Sequence, residues 1–286
     1  MKPERMEMTT AQTVARRARR GPFRRVLDFV ARHVVLVAAM ATVAYLLLPI
    51  AVVVMLSFNR PAGRYNYTWN EFTWHNWTHL CGVEGMCSAL TRSLQIAGLT
   101  TVGATILGSL IAFALARHRF RGRSATNLLV ILPLTTPEVV LGASLLTLFV
   151  NMKMPLGFWT ILIAHIMFCL SFVVITVKAR LAGFDGRLEE AAMDLYASRW
   201  RTFRRVTLPL AMPGIVAAAL LAFALSFDDF IVTNFNSGST VTFPMYVWGS
   251  ARRGVPAQVN VIGTLMFVTT IVVVLVAQVV ASRRKS

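Results

Sequence analysis

The chain is 286 residues long, 56% hydrophobic and only 14% charged, with a mean hydropathy of +0.62. A soluble domain of this size cannot hide so much apolar surface, so composition excludes a soluble enzyme and points to a polytopic membrane protein. The formal net charge of +17 invites a nucleic-acid partner, but the cations are distributed as a membrane topology would distribute them.

Residues 1–31 are polar and basic, with Arg16-Arg17, Arg19-Arg20 and Arg24-Arg25 in close succession. They read as a cytoplasmic tail lying on anionic lipid. A cleaved signal peptide does not fit, because the apolar segment that follows is too long and no small-residue cleavage site ends it. Six apolar segments then run near 32–58, 93–116, 126–151, 158–181, 212–235 and 258–281. Each can cross a hydrocarbon core of about 30 Å at about 1.5 Å per helical residue. The expected fold is therefore all-α, a polytopic bundle of six transmembrane helices. With the N-terminus inside, the outer loops hold only Arg60, Arg64, Arg92, Lys153, Arg252 and Arg253 of the 29 Lys and Arg. Both termini, including the short tail 282–286, are thus expected on the cytoplasmic side.

The outer loop 59–92 is rich in aromatic residues: Tyr65, Tyr67, Trp69, Phe72, Trp74 and Trp77. It reads either as an interfacial belt or as a lip on which an external protein docks. Asn66-Tyr-Thr and Asn76-Trp-Thr match the glycosylation sequon and are read as chance matches, since the chain looks bacterial. Cys81 and Cys87 share this loop, and whether they are bonded depends on the redox state of the compartment it faces. Cys169, inside an apolar run, reads as a buried, inert thiol. A second outer loop, about 236–257, carries Gly238, Pro244, Gly249, Gly254 and Pro256 and is expected to be partly re-entrant.

Ionisable side chains inside a membrane are expensive, so each requires a reason. Glu138 follows Pro133 and Pro137 in the third segment. It is either a functional acid or one that satisfies backbone freed by the prolines. Asp228 and Asp229 lie near the outer end of the fifth. Adjacent helical positions point about 100° apart, which puts one of the two toward the bundle interior. They read either as helix-end carboxylates or as a cation path, in which paired acids lower the energy of an amine in low dielectric. His165 reads as hydrogen-bonded between helices. No metal-type His/Cys cluster, phosphate-cradling glycine loop or Ser/His/Asp spacing is present, so no catalytic residue, metal ligand or bound cofactor is assigned. An intramembrane aspartyl protease would need its two acids on different helices.

Between the fourth and fifth segments lies a polar island, residues 188–209. Glu189, Glu190 and Asp194 are placed toward the positive end of a helix dipole, four arginines follow, and Pro209 is expected to stop the run. Leu195, Trp200, Phe203 and Val206 would form an apolar surface for a soluble partner. Glu190-Ala191-Ala192 with Leu208-Pro209, and Val206 in an Ile position, resembles the EAA loop of ATP-binding-cassette importer permeases. Tyr196 stands where that loop has glycine, so the turn is expected to be built differently, with another residue absorbing the glycine-type backbone.

The resemblance extends to Ser226-Phe-Asp-Asp-Phe-Ile-Val-Thr-Asn-Phe, Thr242-Phe-Pro-Met-Tyr-Val and Arg253-Gly-Val-Pro-Ala-Gln-Val-Asn260, and covers roughly 32–281. It resembles the spermidine/putrescine branch of binding-protein-dependent permeases. It implies a type I importer (MetI-like) architecture with cytoplasmic coupling helices. It also implies a second permease subunit, two ATPase subunits and an extracytoplasmic polyamine-binding protein, in a bacterial plasma (inner) membrane and with no nucleic acid. Carried over by position, Glu189, Glu190, Ala191, Ala192, Asp194, Tyr196, Leu208 and Pro209 would couple to the ATPase, which alone uses ATP. Asp228 and Asp229, and more loosely Glu138, would line the polyamine path. Transport would proceed by alternating access, with the coupling helices as levers. The alternatives are the same machine for an opine, a ferric ion or a phosphonate, and a membrane scaffold or channel without an ATPase.

Overall fold

The structure, a computed structural model, describes residues 22–283, so the basic run before residue 22 and the last three residues lie outside it. In chain order the elements are α1 (Pro22–Ser57), the two-residue strands β1 (Asn59–Arg60) and β2 (Glu71–Phe72), α2 (His75–Thr78), α3 (Met86–Arg117), α4 (Arg123–Thr135), α5 (Glu138–Asn151), α6 (Phe158–Ala182), α7 (Arg187–Asp194) and α8 (Arg199–Thr202). A π turn, Phe203–Thr207, leads into α9 (Leu208–Asp228), and α10 (Ile231–Asn236), α11 (Phe243–Ala251) and α12 (Ala257–Arg283) complete the chain. The chain divides into two compact units. One comprises the residues up to Ala62, Asn66–Thr78 and those from Ala257 on; the other comprises Gly63–Tyr65 and His79–Pro256.

Among the described residues five helical runs are long and apolar enough to cross a membrane, His33–Ser57, Met86–Arg117, Phe158–Ala182, Arg199–Asp228 and Ala257–Val276, and a bent pair makes a sixth if it is one span. The segment expected as one helix over 126–151 is instead two, α4 and α5, bent by 111°. Pro137 lacks an N–H and forces Thr136 out of the helical region, to φ −83° and ψ 130°. The Thr136 N–H and hydroxyl both donate back to the Leu132 carbonyl, so the break closes on itself. The expected helix 212–235 also differs. It stops at Asp228, Asp229 is extended (φ −63°, ψ 122°), and the chain restarts as α10. The stretch expected to be partly re-entrant holds the nine-residue α11, too short to span.

In the larger unit α3, α6 and α9 form the core. Small residues let their backbones approach, the usual basis of helix association where lipid is as apolar as leucine. Ala104, Gly108 and Ala112, four apart on α3, make a buried stripe, and a Cβ on Gly108 would fall 2.7 Å from Val173 Cγ1. On α9 the stripe is Ala211, Gly214, Ala218, Ala222 and Ser226, all buried. It ends at Ser226, where the polar site begins.

In the smaller unit α1 packs on α12, and the loop between β1 and α2 is built on asparagines. Asn59 Nδ2 donates to the Thr68 carbonyl, at 2.8 Å, and to Asn66 Oδ1. Asn66 Nδ2 donates to the Leu56 carbonyl and Asn76 Nδ2 to those of Ser57 and Asn59. Asn66 and Asn76 are only 3% and 5% exposed, so neither sequon asparagine can carry a glycan in this fold. Part of the aromatic loop is packed rather than spread at an interface. Phe58 stacks on Phe72 and Trp77 and meets Trp74 edge-on at 4.9 Å. In the larger unit Cys81 and Cys87 are disulfide-bonded, with their Cα atoms 5.4 Å apart, tying the preceding loop to the first turn of α3.

Candidate functional site

Two regions collect the residues singled out by sequence. The first is the polar island. α7 is amphipathic, and Glu189 turns inward from it: Arg117 Nη2, at the end of α3, donates to its Oε1 at 2.9 Å, and Thr207 Oγ1 donates to the same oxygen at 2.8 Å. Glu189 therefore ties the loop to the bundle. Glu190 and Ala191 are exposed on the other side and Ala192 is half-buried. Asp194 is the last residue of α7, at the negative end of its dipole, not the positive end expected for it.

The turn after α7 is closed by Tyr196 itself, with φ +62°, the left-handed conformation that glycine enters freely. No other residue takes over that role: between α7 and α8 no further non-glycine residue has positive φ. The cost, about 1–2 kcal/mol for an L-residue, is borne by a side chain that is 95% exposed. Leu195 and Trp200 are exposed beside it. Trp200 stacks on Phe203, which meets Phe113 of α3 edge-on at 5.3 Å, so Phe203 belongs to the anchorage rather than to the outer surface.

Pro209 does not stop the run. A π turn over Phe203–Thr207, in which the Leu208 N–H donates to the Phe203 carbonyl, runs into a helix that carries Pro209 in its first turn, where the missing N–H is tolerated. Leu208 and Pro209 thus open α9, and Arg199–Asp228 continues as one 30-residue helical run. At about 1.5 Å per residue it is about 45 Å long, and it joins the polar island to the acids as one continuous run.

Those acids form the second region. Asp228, the last residue of α9, is exposed. Asp229 points the other way, with its side chain 5% exposed. Its Oδ1 accepts from the Thr233 N–H at 2.8 Å and from Thr233 Oγ1 at 3.1 Å, so it caps α10, and it lies 3.4 Å from His165 Nε2 on α6. His165 Nδ1 pairs with Ser226 Oγ at 2.8 Å and Nε2 with Thr233 Oγ1 at 2.9 Å. The imidazole therefore bridges both sides of the helix break. The two aspartates are not brought together as a pair, and sequence reading missed the part played by Ser226 and Thr233. The available signal was a buried histidine with small hydroxyl residues flanking two acids, but the pairing needs the tertiary fold.

α10 is further locked by close packing. A Cβ on Gly142 of α5 would lie 2.8 Å from Phe235 Cδ2, and Thr160 Oγ1 donates to the Asn236 carbonyl at 2.7 Å. Glu138 is exposed in the first turn of α5, where a helix dipole favours a carboxylate. Among the described residues no hydrogen bond or ion pair links it to either aspartate.

Residues 104–286 match the family described as "Binding-protein-dependent transport system inner membrane component". Over 241 residues the chain is 39% identical to the spermidine/putrescine transport system permease protein PotC of Haemophilus influenzae, covering 84% of this chain and 93% of that one. Over 231 residues it is 37% identical to the putrescine transport system permease protein PotI of Escherichia coli K12, covering 78% and 81%. Among solved structures, the bacterial importer of the acidic polysaccharide alginate superposes with a TM-score of 0.63 at 18% identity, over 92% of this chain and 98% of that one. That likeness concerns the fold, which is the ATP-binding-cassette importer permease fold. The chain belongs to the binding-protein-dependent transport permeases, multi-pass inner-membrane components of importers.

Proposed function

We propose that this chain forms, with a second permease subunit, the membrane pathway by which a polyamine of the spermidine/putrescine class enters the cell. The observation that carries this reading is the identity of 39% over most of its length to a spermidine/putrescine permease. The site chemistry supports it. An exposed carboxylate, Asp228, ends a helix that starts in the polar island, and an ammonium group is attracted to such an acid more strongly in a medium of lowered dielectric than in water. Glu138 is the second exposed carboxylate proposed for the path. Asp229 belongs to the same site, within hydrogen-bond reach of His165.

The outward face of the polar island, with Glu190, Ala191, Leu195, Tyr196 and Trp200 exposed, is the proposed dock for a pair of ATPase subunits. ATP hydrolysis falls to those subunits, and an external binding protein delivers the polyamine. The excess of Lys and Arg on one side supports an orientation with both termini in the cytoplasm. The 30-residue helix from Arg199 to Asp228 would carry the motion of the dock to the acids as one rigid element.

The test is competition uptake of labelled putrescine and spermidine in cells with and without this chain. Uptake that depends on the chain and is blocked by the unlabelled polyamine is expected. Uptake unaffected by its loss refutes the proposal.

A further inference from the structure

We infer that the two adjacent aspartates do different work: Asp228 meets the cation through its charge, while Asp229 acts as a hydrogen-bond acceptor that fixes the helix break, with His165 as its positioning residue. The first half rests on the polyamine reading above, and the second does not.

The difference starts from exposure. The Asp229 side chain is 5% exposed and that of His165 only 2%, so a cation moving past the break has little access to either. Asp228, one residue earlier, is exposed. Partners separate them as well. Asp229 Oδ1 already receives the Thr233 N–H and hydroxyl and faces the His165 ring. Its work is to terminate α9 and start α10, a place where buried backbone groups need partners.

With the ring tautomer assigned from the hydrogen bonds, one self-consistent proton arrangement runs through the cluster. The Ser226 hydroxyl donates to His165 Nδ1, His165 Nε2–H donates to Thr233 Oγ1, and the Thr233 hydroxyl donates to Asp229 Oδ1. The chain of bonds begins before the break, passes through α6 and ends after it. It therefore sets the angle at which α9 gives way to α10, and with it the direction in which Asp228 points. Fully satisfied buried networks of this kind hold a single arrangement, and a half-satisfied one is costly.

The consequence is that charge matters at one position and acceptor geometry at the other. Asparagine keeps the Oδ1 acceptor but not the charge. In cells lacking this chain and complemented with variants, Asp228→Asn is expected to raise the KM for putrescine about tenfold, as loss of one charged contact of about 1.4 kcal/mol does. Asp229→Asn is expected to raise it less than about threefold, equivalent to less than 0.7 kcal/mol. Asp229→Ala and His165→Leu should instead lower the maximal rate, and His165→Gln, whose amide both donates and accepts, should restore most of it. A KM shift for Asp229→Asn as large as that for Asp228→Asn overturns the inference.

Amide exchange over residues 226–236 of the purified importer gives a readout independent of substrate. Asp229→Ala and His165→Leu should speed exchange there while Asp228→Asn should not, and equal exchange in all three overturns the positioning role. If the unmodified importer takes up no polyamine, the substrate reading fails, and the exchange experiment still decides the role of Asp229. If His165→Leu does not fold, the comparison of the two asparagine variants decides alone.

Discussion

Replacing Tyr196 by glycine isolates the cost of a bulky residue in a left-handed turn. The residue sits at φ +62° between α7 and α8, and its ring is 95% exposed, so truncation removes no packing within the chain. Relief of the left-handed backbone is worth about 1–2 kcal/mol, and the greater freedom of glycine in the open state returns about 0.5–1 kcal/mol of it. The net expectation is a stabilisation of the local turn by about 0.5–1 kcal/mol, or two- to fivefold less opening. Amide exchange across residues 193–200, measured on the purified chain without ATPase, should slow by that factor in Tyr196→Gly. Tyr196→Ala removes the ring but keeps the backbone cost, so its exchange should match that of the parent. If glycine slows nothing, or alanine slows exchange as much as glycine, the strain assigned to this turn is wrong. ATPase co-purification with the two variants then reports on the ring alone: weaker association in both marks Tyr196 as a contact.

Glu189 and Glu190 should separate cleanly. Glu189→Ala strips Arg117 and Thr207 of their shared acceptor, and because both charged side chains are partly exposed the loss is about 1 kcal/mol, read as faster exchange in α7. Glu190→Ala should leave exchange as it was and weaken ATPase co-purification. Gly108→Ala places a Cβ 2.7 Å from Val173 Cγ1 where α3 packs on α6, so an overpacking cost of about 1–3 kcal/mol should lower the melting temperature of the detergent-purified protein. Asn76→Ala leaves the carbonyls of Ser57 and Asn59 without their buried donor, a loss of about 1–3 kcal/mol by the same melting assay. Expression in a glycosylating host should leave Asn66 and Asn76 unmodified by mass, because both amides are buried and bonded.

The helical bundle was legible because burial in lipid demands long apolar runs and leaves few alternatives to helix. The places where those runs break were not. Pro137 was visible as a helix breaker, yet the 111° bend depends on how Thr136 folds its hydroxyl back to Leu132. The break at Asp229 has no proline or glycine to mark it. It exists because an aspartate side chain can cap a new helix and a histidine 64 positions away can hold it, and such pairings leave no periodic trace in a single chain. Pro209 misled for the opposite reason: a strong local breaker falls in the first turn of α9, just after the π turn, where a missing N–H is tolerated.

That contrast bears on how the site works. The polar island and Asp228 are joined by a helix that neither Pro209 nor Pro213 interrupts, so movement at one end has to appear at the other. The helix ends just beyond, where Asp229 leaves helical geometry. A rigid rod that ends in a side-chain-held break concentrates displacement at the break, beside the exposed acid. The bonds through His165 then set how far that break yields: a looser network lets α9 move without turning Asp228, and a tighter one resists the motion itself. The maximal rate should therefore fall in variants that loosen the network even though Asp228 and its charge remain in place, whereas removing that charge should weaken binding.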